Sequence, residues 1–381
     1  MVRLVKIFKY QKLYLVSGFI MEHIQKFDWD NKFRAIFNPE TGAYMRTGIL
    51  KIQGNRVIDT GVDPYMTAFP ELIDIGIMGK CKNAKRCTVG CYQGNKSEGK
   101  NMSVDDYRSI MKQCRGVFQV ALGGAGSPDE HEDFEEILKI TREHNIVPNY
   151  TTSGISVDEN IARITKEYCG AVAVSWYKQD YTWEALKLFK EAGCTTNVHF
   201  VLSKSSIGEA IDILKNNGYW LKDKKNVFDG IEALVFLFYK PVGNAKKEEM
   251  LDFDRDSKLI QEFVLEVGKE HPFKVGFDSC SIPMLLQFRA NIHNESIDTC
   301  EGARFSCYIH NDMKMTPCSF DQDFKYSVDL RKYSIKDAWN SEQFNAFRES
   351  HKKGCPTCKY NIDCMGSCPM LKLCSEKRFV V

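Results

Sequence analysis

With 381 residues, 43% of them apolar and 27% charged, the chain has the composition of a globular protein and the length for one large core plus a smaller domain. A net charge of +2 excludes strong electrostatic attraction to nucleic acid or to an anionic membrane. No apolar run reaches the roughly 18 residues of a membrane span, and the opening Met1-Val-Arg-Leu-Val-Lys6 lacks a secretory signal, so the expected location is cytoplasmic.

Residues 1–70 read as a β-rich cap. Lys12-Leu-Tyr-Leu-Val-Ser-Gly18 is strand-like, Phe33-Arg-Ala-Ile-Phe37 and Ala43-Tyr-Met-Arg-Thr47 flank a turn at Asn38-Pro-Glu-Thr-Gly42, and 49–59 adds a further strand. This cap is either an extension of the main sheet or a structural lid, and its edges suit pairing with a peptide. From 71 to 280 the period changes. Strand-length apolar runs at 72–78, 117–122, 146–151, 171–175, 195–202 and 232–239 alternate with amphipathic stretches at 104–114, 130–144, 157–168, 182–192, 206–217 and 248–267. Such alternation predicts parallel βα units. Six units are too few for a closed eight-unit barrel, so the expected fold class is α/β, a partial (β/α)6 TIM-like barrel. Residues 281–381 form a linker and a cysteine-rich end, which ligation rather than a large apolar core is expected to organise.

Fifteen cysteines need a reason. A reducing compartment disfavours disulfides and favours metal ligation. Cys114, Cys169 and Cys194 stand alone and read as small buried hydrophobes. Cys81, Cys87 and Cys91 follow the first parallel strand at spacings x5 and x3, without a histidine. Zinc asks for four ligands; three thiolates instead hold three corners of an iron–sulfur cube and leave one iron open. Gly123 and Gly124 follow the second strand in Gly123-Gly-Ala-Gly126, where glycine permits close backbone approach. Further on, Cys300, Cys307, Cys318, Cys355, Cys358, Cys364, Cys368 and Cys374 supply eight ligands, enough for two four-ligand sites of iron–sulfur or zinc.

The front loop, its place after the first strand and the glycine turn together resemble the radical S-adenosylmethionine enzymes. The usual Cys-x3-Cys-x2-Cys is lengthened here by two residues in the first gap and one in the second, and Ala125 stands where that family often has an acidic residue. The spacing x2, x5, x3 of Cys355, Cys358, Cys364 and Cys368, with Asp312-Met-Lys-Met-Thr-Pro-Cys318 upstream, resembles the C-terminal SPASM extension of peptide-modifying members; Met313 replaces the usual glycine. The resemblance spans 71–374. It implies three 4Fe–4S clusters: an S-adenosylmethionine-binding one on Cys81, Cys87 and Cys91, one auxiliary cluster on Cys300, Cys307, Cys318 and Cys368, and another on Cys355, Cys358, Cys364 and Cys374. It implies cofactor contacts at Tyr92, Gly123, Gly124, Ser153, Ser175, Asn197 and His199.

The activity so implied is a radical maturase that makes a 5′-deoxyadenosyl radical and oxidatively modifies a ribosomally made precursor peptide, most often by a thioether or carbon–carbon cross-link. Epimerisation, backbone excision and protein oxidation are the variants. Lys240 is a candidate carboxylate binder, Asp278 a candidate base and Cys280 a candidate hydrogen-atom donor. Expected partners are the peptide, recognised through a leader or a companion protein, and a flavodoxin- or ferredoxin-like reductant. An iron–sulfur electron carrier and a zinc-stapled scaffold are the rival classes.

Overall fold

The computed structural model describes residues 23–85, 90–291, 297–366 and 368–371. The strand expected at 12–18 lies outside them, as do Cys87 and Cys374. An antiparallel three-stranded sheet opens the described chain: β1 (Ile24–Asp28), β2 (Phe33–Phe37) and β3 (Tyr44–Arg46). The single strand expected over 49–59 is instead a hairpin of β4 (Leu50–Gln53) and β5 (Arg56–Asp59). Gln53 pairs with Arg56, and Gly54, at φ +59°, takes the left-handed first position of the two-residue turn. Neither piece extends the main sheet. Phe33, Phe37 and Tyr44 share a buried cluster with Phe118 and Val147, so the cap covers the amino ends of the second and third barrel strands.

The βα units follow the predicted order: β6 (Leu72–Met78), α1 (Val104–Met111), β7 (Gln119–Gly124), α2 (Phe134–Glu143), β8 (Val147–Thr152), α3 (Glu159–Tyr168), β9 (Ala171–Ser175), α4 (Asp180–Glu191), β10 (Thr196–Leu202), α5 (Ile207–Lys215), β11 (Ala233–Phe238) and α6 (Ser257–Val267). The strands are rich in Val, Ile, Leu and Phe because their outward faces lie under helices. Short polar caps start the helices: the side chains of Ser103 and Asp158 accept from the Asp106 and Ile161 amides. The helix expected over 248–267 begins later, at Ser257. Upstream, the Asp252 carboxylate accepts from the Asp254 and Arg255 amides at 3.0 Å each, a local turn that competes with helix. A further parallel strand, β12 (Lys274–Phe277), closes that edge, followed by α7 (Ile282–Gln287).

The other edge carries the C-terminal end. β13 (Ser306–Ile309) pairs in parallel with β6, and a hairpin to β14 (Lys314–Thr316) and then β15 (Val328–Asp329) completes a ten-stranded sheet among the described residues, ordered β12-β11-β10-β9-β8-β7-β6-β13-β14-β15. After it come α8 (Ile335–Trp339), α9 (Glu342–Lys353) and α10 (Asn361–Cys364). Contrary to expectation this end shares the apolar core of the barrel: Ile335, Trp339, Phe344 and Phe347 are fully buried in it. Buried arginines stitch it to the cap. The Arg304 guanidinium donates to both Asp63 carboxylate oxygens at 2.8 and 2.9 Å and to the Tyr65 carbonyl at 2.6 Å. Arg46 donates to Asp298 at 2.7 Å and lies 3.3 Å from the centre of the Phe305 ring.

Two predictions follow from these buried polar groups. Arg304→Met removes the donors to the Tyr65 carbonyl and to Asp63, whose carboxylate stays within reach of water, and is expected to cost about 1–3 kcal/mol of stability in denaturant unfolding. Burial also holds His310 and His351 down at about 4. The unfolded chain takes up protons on these rings from about pH 6.5 downward while the folded chain does not. Stability is therefore complete above that pH and is lost as pH falls, by about 1 kcal/mol per histidine between roughly pH 7.5 and pH 5.5. His351→Leu is expected to flatten that dependence in paired denaturation curves.

Candidate active site and iron–sulfur centres

The strand ends and the inner face of the curved sheet enclose one cavity of ≈ 1730 Å³, larger than the roughly 300–1,000 Å³ of an ordinary small-ligand pocket. Cys81, Cys91, Gly123, Gly124, Ser153, Ser175, Asn197, His199, Lys240, Asp278, Cys280, Cys300 and Cys318 all reach it. The front cysteine loop and the C-terminal cysteines thus border the same cavity.

The front loop leaves β6 and is pinned through backbone. The Cys81 amide donates to the Lys96 carbonyl at 2.7 Å, and the Asn244 amide to the Cys91 carbonyl at 3.0 Å. The glycine turn after β7 lies directly against it: the Ala125 amide donates to the Met78 carbonyl at 2.7 Å. A Cβ on Gly126 would come within 2.6 Å of the Lys80 carbonyl oxygen and 3.2 Å of the Cys81 Cα. Glycine is therefore required there by close packing of the two loops. Gly123 differs, because a Cβ there meets nothing within 4 Å and its backbone faces open cavity. Ser153 is tied to this turn, its amide and hydroxyl bonding the Ser127 hydroxyl at 3.0 and 2.9 Å.

Deeper in the cavity, Asn197 and His199 share the inner face of β10. Asn197 Oδ1 is buried without a partner among the described residues, a cost of about 1–3 kcal/mol that a ligand donor would relieve. His199 lies 3.3 Å from the Thr151 hydroxyl, and burial holds its pKa down at about 3, so the ring is neutral. A carboxylate that the sequence reading passed over also reaches the cavity. Glu130 is buried; its Oε1 accepts from Ser156 at 2.8 Å while Oε2 has no partner among the described residues. Its place four residues beyond the glycine turn was the available signal. Asp129 lies nearer to Ala125 in sequence, but of the two carboxylates Glu130 is the one that borders the cavity.

Tyr92 turns toward the C-terminal end. Its ring lies 4.8 Å from that of Phe320, and burial pushes its phenol up to about 12. Lys240 and Asp278 prove to be partners of each other: the ammonium donates to the Asp278 carboxylate and, at 2.8 Å, to the Phe238 carbonyl. Burial alone would lower the Lys240 pKa, but the adjacent carboxylate outweighs it and raises it. Lys240 thus already holds a carboxylate, which runs against its use for one from a ligand.

Cys300, Cys318 and Cys368 lie within electrostatic reach of one another. Burial pushes the Cys318 thiol up to about 12, as it does that of the core residue Cys114. Cys307 also borders the cavity, but it is 2% exposed and packs in one core with Ile73 and Cys114, on the helix side of β13. The Cys355 amide donates to Asn361 Oδ1 at 2.7 Å, which folds Cys355, Cys358 and Cys364 into one turn, and Thr299 donates to the Cys364 carbonyl at 2.8 Å. Among the described residues no three Cys, His, Asp or Glu stand as close as a single metal ion requires. A cube has its irons at separate corners and so takes its thiolates from a wider set of positions than a single ion does.

Comparison with known proteins agrees with this layout. Residues 300–365 match the SPASM iron–sulfur cluster-binding domain, so this end carries that domain. No curated protein matches the sequence. The fold is shared with Streptococcus suis SuiB bound to S-adenosylmethionine, at 14% identity over 91% of this chain and 94% of that one, with a TM-score of 0.66. SuiB bound to its precursor peptide SuiA matches with a TM-score of 0.64, again at 14% identity, over 91% and 95% of the two chains. Native anSMEcpe with bound AdoMet and Kp18Cys peptide matches at 19% identity over 82% of this chain and 92% of that one, with a TM-score of 0.57. These likenesses establish the fold, a partial α/β barrel continued by the cysteine-rich end that matches the SPASM domain. Among the described residues no helix is long and apolar enough to cross a membrane.

The contact between the two loops is open to test. Gly126→Val is expected to force Lys80 and Cys81 away from the glycine turn, and hydrogen–deuterium exchange should then rise at the Cys81 and Ala125 amides and stay unchanged in α3 and α4.

Proposed function

We propose that the chain is a radical S-adenosylmethionine maturase that oxidatively modifies a ribosomally made precursor peptide. The observation that carries this reading is the three-cysteine loop packed against the Gly123–Gly126 turn at the mouth of a cavity that the SPASM cysteines line from the other side. Support comes from the fold shared with SuiB, which has been seen with S-adenosylmethionine and with a precursor peptide.

In this reading 1–70 is a substrate-facing cap, 71–280 the catalytic barrel and 281–381 the linker and auxiliary-cluster domain. Cys81, Cys87 and Cys91 hold the first 4Fe–4S cluster, and two further clusters bring the total to three. With that cluster and S-adenosylmethionine bound, reductive cleavage supplies a carbon radical able to take a hydrogen atom from the peptide. The protein's own part is positional. Backbone at Gly123 and Gly124 and the hydroxyls of Ser153 and Ser175 line the cofactor's end of the cavity. Asn197 Oδ1 accepts one cofactor donor, while neutral His199 braces Thr151 and carries no charge to repel the sulfonium. The remaining volume admits a peptide segment and, once filled, excludes water from the radical.

Tyr92 against Phe320 joins the front loop to the segment after Cys318. This gives an electron leaving the product a short path into the C-terminal cysteines, as a net oxidation needs. A thioether or carbon–carbon cross-link is the outcome we favour, with a flavodoxin or ferredoxin as reductant and the cap or a companion protein as the leader-binding element.

Anaerobically reconstituted protein, reduced with dithionite, is expected to convert S-adenosylmethionine to methionine and 5′-deoxyadenosine, and Cys81→Ala to abolish this. Asn197→Ala should weaken S-adenosylmethionine binding about tenfold without changing iron content. Fully loaded protein that leaves S-adenosylmethionine intact would return the chain to the electron-carrier class.

A further inference from the structure

The C-terminal thiols are divided by strand geometry, not by their order in the chain. On β13, Cys307 pairs with Ile73 and Tyr308 with Asp74. Side chains alternate along a strand, so these two neighbours point to opposite faces. The Tyr308 hydroxyl occupies the space where a Cβ on Gly76 would stand, on the cavity face, with Tyr92 and Cys318 in electrostatic reach. Cys307 therefore points to the helix face, where it is 2% exposed in one core with Ile73, Ile75 and Cys114. Its charged or ionisable neighbours are Cys114, Asp74 and Arg348, none of them a cluster thiol.

Another thiol occupies the place that Cys307 vacates. Cys280 follows β12 on the one-turn helix Ser279–Ser281 and lines the cavity with Cys300 and Cys318. It feels Cys368, Cys300, Lys240 and Asp278. Lys240 in turn feels both Cys280 and Cys318. Cys280, Cys318 and Cys368, from three separate segments, thus lie in electrostatic reach of one buried ammonium, itself held by Asp278, and Cys300 lies in reach of all three thiols.

We propose that Cys280, not Cys307, completes the ligand set of the auxiliary iron–sulfur cluster formed with Cys300, Cys318 and Cys368. This rests on the reading of the C-terminal end as a cluster domain and names one ligand within it. The Lys240–Asp278 pair borders the site, so the ammonium, though its charge is offset by Asp278, remains in electrostatic reach of Cys280 and Cys318. The assignment replaces the hydrogen-donor role considered for Cys280, because an iron-bound thiolate has no S–H to give. It ties the cluster to the end of the last barrel strand, beside the cavity, so that the barrel and the SPASM end share a metal centre.

The test compares Cys280→Ala, Cys280→Ser, Cys307→Ala and Cys318→Ala in the full chain, reconstituted anaerobically, by iron and sulfide per chain and by electron paramagnetic resonance. Wild type is expected to hold about twelve irons. Both Cys280 variants should behave as Cys318→Ala does, losing up to about four irons or showing an oxidised three-iron signal in place of one cube. Cys307→Ala should keep the wild-type count and spectrum. The reverse pattern, or full retention in both Cys280 variants, overturns the assignment. Wild type that binds no iron in its C-terminal end instead defeats the underlying reading, a different result. Should the Cys280 variants fail to fold, iodoacetamide labelling of wild type decides the matter. Cys280 is expected to react in the metal-stripped protein and be protected in the loaded one, with Cys307 slow in both; equal Cys280 labelling in the two states overturns the proposal.

Discussion

The parallel pairing of β6 with β13 is the constraint on which the rest of the molecule depends. β6 carries the front cysteine loop at its carboxyl end, and β13 begins the hairpin that delivers Cys318. Their shared register, Ser306 opposite Leu72 through Ile309 opposite Ile75, sets how far apart the two cysteine regions stand and which side chains of β13 see the cavity. A slip of one residue would turn Cys307 inward and Tyr308 out, reversing both faces. Large apolar side chains lock that register: Ile73, Ile75 and Ile309 are fully buried on the helix face, so a slip would bring them to the cavity.

Around that seam, joints are made with buried charge more than with apolar area. Arg46 and Arg304 cross from the cap to the start of the SPASM end, and each meets carboxylates and aromatic rings. A guanidinium suits this because its planar fork satisfies several acceptors at fixed angles. Such pairs contribute less to net stability than to choosing one arrangement, since desolvation offsets much of their attraction. The Lys240–Asp278 pair has a different setting. It lies at the cavity wall within electrostatic reach of Cys280 and Cys318, as a pair whose two charges offset each other.

The sequence disclosed most of the barrel, because parallel strands and their covering helices carry local signals: period, length and caps. The six predicted strands are found within two residues of their expected limits, and Gly126 sits where two loops meet. What stayed hidden depends on contacts far apart in the chain. Nothing near residue 306 announces a partner at residue 72, and nothing near Arg304 announces Asp63. The grouping of Cys307 with Cys300 and Cys318 is what the family resemblance implies. In Phe305-Ser-Cys-Tyr-Ile309 a short strand intervenes, and its two-residue period decides the face. Glu130 was passed over for a related reason. The acidic residue was sought at position 125, next to the glycines, whereas a short helical turn at Pro128–Glu130 carries a carboxylate back into the same cavity.

The cysteine-rich end was also expected to depend on metal for its order, and the structure divides it in two. Ile335, Trp339, Phe344 and Phe347 join the apolar core of the barrel, and the Trp339 indole donates to the Thr67 carbonyl at 2.9 Å. Residues 313–353 therefore have reason to fold with the barrel whether or not a cluster is present. Residues 355–371 have little apolar burial, and backbone turns and the Asn361 side chain shape them. Ligation would do its structural work there, while Cys280, Cys300 and Cys318 sit on segments that the barrel and the β13–β14 hairpin already hold. A cube entering such a site meets three thiolates near their final positions. Only Cys368 is delivered by the segment that metal must organise, so loading this cluster would in turn order the chain that carries the other.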